Sequence, residues 1–218
     1  MTLQLEELRD WLLENHDATV DPDRLAVVEA EVAVVAKRVI PGDVVELGCY
    51  RGAMALWLRA QLDRFGLADR RVHVFDSFRG MPAPSCHDEA SGLREGEFAC
   101  GVEEVVAAHR AWDLRLPVIH PGWFCDTLPS QLPAAIAFAY ADCVFYEPMM
   151  ASLTCCVPVL ATGAPLVVAG YGSPGSAHGE GSRQSSGVRR ACEDFFGGAK
   201  HVRPFGVNAP CGVFRKPG

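Results

Sequence analysis

The sequence has no run of 18 apolar residues, so no membrane-spanning helix is expected. Its longest nearly uncharged stretch, 132–144, is interrupted by Pro133 and reaches Asp142. The N-terminus has no basic segment leading into an apolar one. It carries Glu6, Glu7 and Asp10 instead and does not read as a signal peptide. No cluster of Lys and Arg offsets a net charge of −7. Such a field repels a phosphate backbone and excludes nucleic acid as the expected partner. No Cys-x-x-Cys pair occurs among the nine cysteines, which weighs against zinc-ribbon and thioredoxin-like chemistry. Several of these cysteines sit in apolar runs, where a thiol acts as a small hydrophobe. Reduced thiols and a cytoplasmic location are therefore expected. Internal repeats are also missing, and nothing speaks against a homo-oligomer.

What is present is an ordinary globular composition. Hydrophobic residues make up 49% and charged residues 22% of 218, which excludes a disordered or fibrous chain. Helical spacing of apolar positions covers 3–13 and 25–39, with Leu25, Val28, Val32 and Val35 on one face. Pro41 and Gly42 stop the second helix. Short apolar strands are expected at 43–48, 71–76, 117–120, 134–142 and 165–169. Helical patterns at 53–65, 102–112, 149–160 and 188–196 separate or follow them, and 201–214 reads as a terminal hairpin. Strands alternating with helices predict a doubly wound α/β fold, its mostly parallel sheet covered on both faces. The expected organisation is an N-terminal helical extension, 1–40, and a ligand-binding domain, 41–218. Two long segments rich in Gly, Ser and Pro, near 79–101 and 170–187, are expected to be lid loops, mobile alone and ordered by ligand.

Ligands in such sheets bind beyond the carboxyl ends of the strands. That rule selects Gly48, Asp76, His120, Asp142 and Tyr171 with their neighbours. The segment from Glu46 to Gly52 is a strand-to-helix turn with the pattern G-x-x-x-G, not the dinucleotide fingerprint G-x-G-x-x-G, and no P-loop lysine follows. Tyr50 would crowd a pyrophosphate, so a smaller adenosine ligand is expected. Asp76 can accept from ribose hydroxyls, and Glu46 from an amino group of the ligand.

The runs VVELGCYRG, DSFRGMPAP, PGWFCDTLP and GVRRACEDFF occur in that order. Together they resemble the macrocin O-methyltransferase (TylF-like) family over about 25–215. The resemblance implies a class I methyltransferase (Rossmann-like) fold, S-adenosylmethionine as cofactor, and methylation of a small natural-product or sugar-like acceptor in bacterial secondary metabolism. It also implies cofactor contacts from Glu46, Gly48, Tyr50, Asp76 and Ser77, with Gly122 and Trp123 beside the adenine.

The family resembled is usually magnesium-dependent, with ligands from D-G-D-L-Y-E-S and D-D-Y segments. Here the first reads Asp142-Cys143-Val144-Phe145-Tyr146-Glu147-Pro148, and the second Ala169-Gly170-Tyr171. Magnesium needs hard oxygen ligands, and one aspartate is a poor site, so no metal is expected. Without one, a side-chain base must take the acceptor's proton, or the acceptor must be more acidic than a sugar hydroxyl. Asp142, His178, His120 and His87 are the candidates. Tyr171 can donate to the acceptor or pack over a sulfonium. The altered positions leave two other readings open. One is chemistry other than methyl transfer, such as cyclisation of the cofactor's aminobutyrate chain or an assisted rearrangement. The other is a binding relic without catalysis.

Overall fold

A computed structural model describes residues 2–88, 91–172, 186–206 and 211–218. Two helices open the chain, α1 (Thr2–Asn15) and α2 (Pro22–Arg38). The second begins with Asp21, whose carboxylate accepts from the Arg24 N–H at 2.9 Å, and with Pro22, whose fixed φ suits a first turn. It ends at Val39 in the left-handed region. The face expected from spacing is the one buried: Leu25, Val28, Val32 and Val35 are inaccessible or nearly so.

Then follow β1 (Asp43–Leu47), α3 (Ala53–Arg64), β2 (Val72–Asp76), α4 (Val102–Ala111), β3 (Val118–Pro121), α5 (Phe124–Gln131), β4 (Ile136–Ala141), α6 (Tyr146–Val159), β5 (Pro165–Ala169) and α7 (Ser186–Phe196). A short 3-10 turn, Ala199–His201, leads to β6 (Arg203–Phe205) and β7 (Cys211–Arg215). The seven-stranded sheet has the order β3-β2-β1-β4-β5-β7-β6. Strands β1 to β5 run parallel, and β7 lies antiparallel between β5 and β6. This is the expected doubly wound sheet, with the expected terminal hairpin on its edge. The order reverses between β1 and β4, which puts the switch point at the ends of those strands.

The central strands β4 and β5 are buried at every position, as strands covered on both faces must be. The N-terminal helices share this core: Leu8, Leu12, Val27 and Val28 belong to the same buried cluster as the sheet. Trp57 of α3 donates its indole N–H to the Leu25 carbonyl at 2.9 Å, and Arg215 of β7 makes a two-pronged contact with Glu31 of α2 at 2.7 and 2.9 Å.

Two elements depart from the sequence reading. Helix α5 was not expected, because Pro129 lies inside it and no side chain caps it. Helix α6 starts at Tyr146, three residues early. Pro148 is tolerated in its first turn, where backbone N–H groups have no intrahelical partner. The Tyr146 N–H is instead capped from a distance by Asp88, at 2.8 Å. All nine cysteines are free.

Candidate active site

The carboxyl ends of β1, β2, β3 and β4 are locked together by the backbone. Gly48 N–H donates to Phe75 O at 2.8 Å, Asp142 N–H to Leu47 O at 2.9 Å, and Gly122 N–H to Asp76 O at 2.9 Å. Above them lies a cleft of about 420 Å³. Glu46, Gly48, Tyr50, Asp76, Ser77, Gly122, Trp123 and Asp142 all line it, so the structure gathers eight of the twelve residues singled out in the sequence.

Gly48 is a true conformational requirement. Its φ is +83°, and a Cβ there would lie 2.7 Å from the Asp142 carbonyl oxygen. Asp76 holds the turn that follows. Its Oδ2 accepts from the N–H groups of Cys49 and Tyr50, at 2.9 and 3.0 Å, and its Oδ1 from Phe78 N–H at 2.8 Å. A carboxylate has about four acceptor positions, so about one is left for a ligand. Ser77 is tied into the next turn, donating to Gly80 O at 2.7 Å.

Glu46 is 1% exposed, and its Oε2 has no hydrogen-bond partner. Burial, with the charges of Asp142 and Asp76 adding to it, holds its carboxyl well above the usual carboxylate range. An orphaned acid of this kind on a cleft wall is costly unless something cationic occupies the cleft. Burial likewise raises Asp142, opposed by Arg24. The Arg24 guanidinium reaches Asp142 Oδ2 at 3.2 Å. Burial raises the Cys49 and Cys143 thiols as well, so neither is an activated nucleophile.

Other expected residues stand elsewhere. The structure does not bring Tyr171 to the cleft: it is 2% exposed, with Gly212 against its ring and the Arg189 guanidinium 5.8 Å from its centroid. His120 is also engaged elsewhere. Its Nε2 faces His73 Nδ1 at 3.0 Å, its Nδ1 faces Gln131 at 2.8 Å, and its ring stacks on Phe75 at 4.2 Å. His87 stacks on Tyr146 at 4.2 Å. His178 and most of the 170–187 loop lie outside the described residues.

The described residues of the 79–101 loop border the cleft. Met81 and Glu97 pair through Met81 N–H to Glu97 O at 2.8 Å, and Gly96 N–H returns to Met81 O at 2.9 Å. Asp88, 2% exposed, anchors the loop to α6 through the Tyr146 N–H. Met81, Pro82, Leu93 and Phe98 of this loop form an apolar wall.

The sequence reading missed Thr19, Val20 and Arg24, which reach the cleft from the α1–α2 connection and the first turn of α2, and Phe145 and Glu147 at the start of α6. Arg24 carried a readable signal: a cation in the first turn of a helix opposes the macrodipole and requires a partner. The described residues do not supply a donor set for magnesium. Among the described residues no three His, Cys, Asp or Glu side chains gather as a metal site would need. Asp142 is paired to Arg24, and its neighbour Val144 is apolar.

Among solved structures the chain resembles the O-methyltransferase NovP, with a TM-score of 0.74, 25% identity, and coverage of 90% of this chain and 80% of that one. It also shares the fold of CalS11, a calicheamicin methyltransferase, with a TM-score of 0.69 and 20% identity over 98% and 91% of the two chains. In sequence it is 33% identical over 171 residues to the 8-demethyl-8-(2,3-dimethoxy-alpha-L-rhamnosyl)-tetracenomycin-C 4'-O-methyltransferase of Streptomyces olivaceus, covering 75% of this chain and 65% of that one. It is 32% identical over 173 residues to the demethyldecarbamoylnovobiocin O-methyltransferase of Streptomyces niveus, covering 76% and 66%. The chain thus spans just under two thirds of the length of these relatives. The family model for macrocin-O-methyltransferase (TylF) matches residues 6–191. Motif order, strand order and this match agree, and the chain belongs to the macrocin-O-methyltransferase (TylF) family.

Proposed function

We propose that the chain is an S-adenosylmethionine-dependent O-methyltransferase acting on a hydroxyl of a small, sugar-bearing natural product. The observation that carries this is the convergence of Glu46, the Gly48 turn, Asp76 and Trp123 on one cleft at the switch point of the sheet. Family membership supports it, as do relatives whose names are those of O-methyltransferases of rhamnosyl-tetracenomycin and novobiocin precursors.

The residues present fit the cofactor. Asp76 has an acceptor position left for the ribose, and Glu46 offers a buried, unpartnered oxygen to an ammonium group. Gly48 allows the positive-φ turn beside the cleft, where a Cβ would press on the Asp142 carbonyl. Gly122 and Trp123 line the cleft on the β3 side, where the adenine is assigned. Bound there, S-adenosylmethionine supplies an electrophilic methyl group on a cationic sulfur. The chain's own part is to hold the acceptor oxygen in line with that methyl group and to keep water out. Among the described residues Asp142 makes no hydrogen bond through Oδ1, and it can accept the acceptor hydroxyl there. The apolar wall of Met81, Leu93, Phe98 and Phe145 covers the acceptor's body. Residues 1–40 act as a helical extension that helps close this cleft. His178 is kept as the proposed general base on the sequence alone.

Product analysis tests the proposal. S-adenosylmethionine is incubated with protein and a panel of deoxysugar-bearing aglycones. Methylated glycoside plus S-adenosylhomocysteine is the expected result. Methylthioadenosine plus a cyclic amino acid would assign different chemistry, and unchanged cofactor would assign none.

A further inference from the structure

His73 of β2 and His120 of β3 stand in a chain of hydrogen bonds that the site above does not use. His73 Nδ1 and His120 Nε2 are 3.0 Å apart. At the outer ends, His73 Nε2 faces Asp43 Oδ2 at 3.4 Å, and His120 Nδ1 faces Gln131 Oε1 at 2.8 Å. The four side chains join the start of β1, both strands and the last residue of α5. His73 is buried, and the His120 ring stacks on Phe75 at 4.2 Å, within 6° of parallel.

A hydrogen bond between two ring nitrogens needs one proton between them, no more and no fewer. With both rings neutral, a single arrangement satisfies all four nitrogens. The shared proton sits on His120 Nε2, His73 donates from Nε2 to the Asp43 carboxylate, and the Gln131 amide turns its NH₂ toward His120 Nδ1. The opposite direction would set a bare His73 Nε2 against a carboxylate oxygen. One further proton makes His120 Nδ1 a donor to Gln131 Oε1, the atom that faces it here, and the middle bond survives with its proton on either ring. A second further proton puts N–H groups on both facing nitrogens and breaks the contact. Burial holds His73 below the usual imidazole range; Asp43 opposes this, while His120 and Arg71 add to it. These groups face the ring from the start of β1, from β3 and from the residue before β2, and α5 contributes the neutral Gln131.

The elements joined in this way carry one wall of the cleft. Gly122 and Trp123 follow His120 closely, and α5 begins with Phe124 and Cys125; all four line the cleft. We propose that the His73–His120 pair is a proton-operated clamp on this wall. With at most one added proton it ties β2, β3 and α5 together; with a second the rings separate and nucleoside binding weakens. The link to a nucleoside rests on the S-adenosylmethionine reading above, which assigns the adenine to Gly122 and Trp123.

Adenosine is the probe, because it carries no ammonium and so leaves Glu46 out of the measurement. It is titrated calorimetrically into wild-type, His120→Gln and Asp43→Asn protein from about pH 7.5 to about pH 5, across the imidazole range. Wild-type affinity is expected to fall about fivefold at the acid end, the scale of one lost hydrogen bond. His120→Gln removes one titrating ring and keeps a side chain able to donate and accept, so its affinity should change by less than about twofold. Asp43→Asn removes the charge that balances an added proton, and the fall should move to lower pH. Wild-type affinity that does not fall overturns the proposal, and so does an equal fall in His120→Gln or an unmoved one in Asp43→Asn. NMR of isotope-labelled histidine rings in the ligand-free protein reads the pair directly, with two separated titration steps expected. Wild-type protein that binds no adenosine at about pH 7.5, where the imidazoles are mostly neutral, overturns the cofactor reading. The ring titration then decides the clamp by itself: two separated steps sustain it, and independent titration of the two rings overturns it.

Discussion

Replacing Asp76 by asparagine perturbs the turn and the site together. The carboxylate serves three backbone N–H groups, at 2.8, 2.9 and 3.0 Å. An asparagine has one acceptor oxygen. In its better orientation that oxygen keeps the Cys49 and Tyr50 N–H groups, and the amide NH₂ then faces the N–H of Phe78. One charge-assisted bond is lost and two become neutral. A hydrogen bond to a charged group contributes about 1.5–3 kcal/mol. Asp76 is only half-buried, so the net loss of stability should be about 1–3 kcal/mol. In a chain of this size that lowers Tm by about 2–12 °C. The fourth acceptor position, assigned to the ribose, also becomes neutral. S-adenosylhomocysteine should then bind more weakly by about 1–2 kcal/mol, or about 5- to 30-fold. Calorimetry well below the lowered Tm separates the two effects. A folded Asp76→Asn protein with wild-type affinity would refute the ribose assignment, and an unchanged Tm would refute the role given to the turn.

Gly48→Ala forces a side chain into left-handed backbone and against the Asp142 carbonyl. It should cost about 2–4 kcal/mol in a denaturant titration and weaken cofactor binding, and unchanged stability would contradict it. Burial, with Asp142 and Asp76 contributing, raises the Glu46 carboxyl and favours its protonated form, whereas an ammonium beside it favours the ionised form. Ligand binding should therefore release a proton, and affinity should rise with pH until Glu46 ionises in the free protein. Calorimetry in buffers of different ionisation enthalpy measures the release, and its persistence in Glu46→Gln would assign the proton elsewhere. Turnover should persist in excess chelator, because Asp142 is paired with Arg24 through Oδ2 and Val144 offers no side-chain oxygen. Loss of activity restored by magnesium would overturn that reading. Asp88→Ala removes the cap on Tyr146 and the anchor of the 79–101 loop. Hydrogen exchange in that loop should accelerate, and saturating cofactor should slow it, while equal rates in all four states would end the lid model there.

The parallel sheet was legible because β1, β2, β4 and β5 are short apolar runs closed by Gly or Asp, a pattern set by burial on both faces. The cleft wall was legible for the same reason, since Gly48, Asp76 and Gly122 stand at strand ends. What local pattern could not show is contact made across distance. Helix α6 starts at Tyr146 because Asp88, far back in the chain, caps it. Helix α5 survives Pro129 through packing, with Leu128 fully buried beneath it. Tyr171 follows a strand as a site residue would, yet β7 pairs beside β5 and its Gly212 closes over the ring. Arg24 lay in a segment read as a helical extension, and only the packing of α2 beside β4 and β5 carries it to Asp142.

The most direct measurement is a crystal structure of the protein with S-adenosylhomocysteine. The account predicts the adenosine over the ends of β1, β2 and β3, with the ribose on Asp76, the adenine beside Gly122 and Trp123, and the amino acid end beside Glu46. An empty cleft at saturating ligand, or the nucleoside bound instead in the second cavity beside α1, lined by Leu8, Trp57 and Trp112, would contradict it.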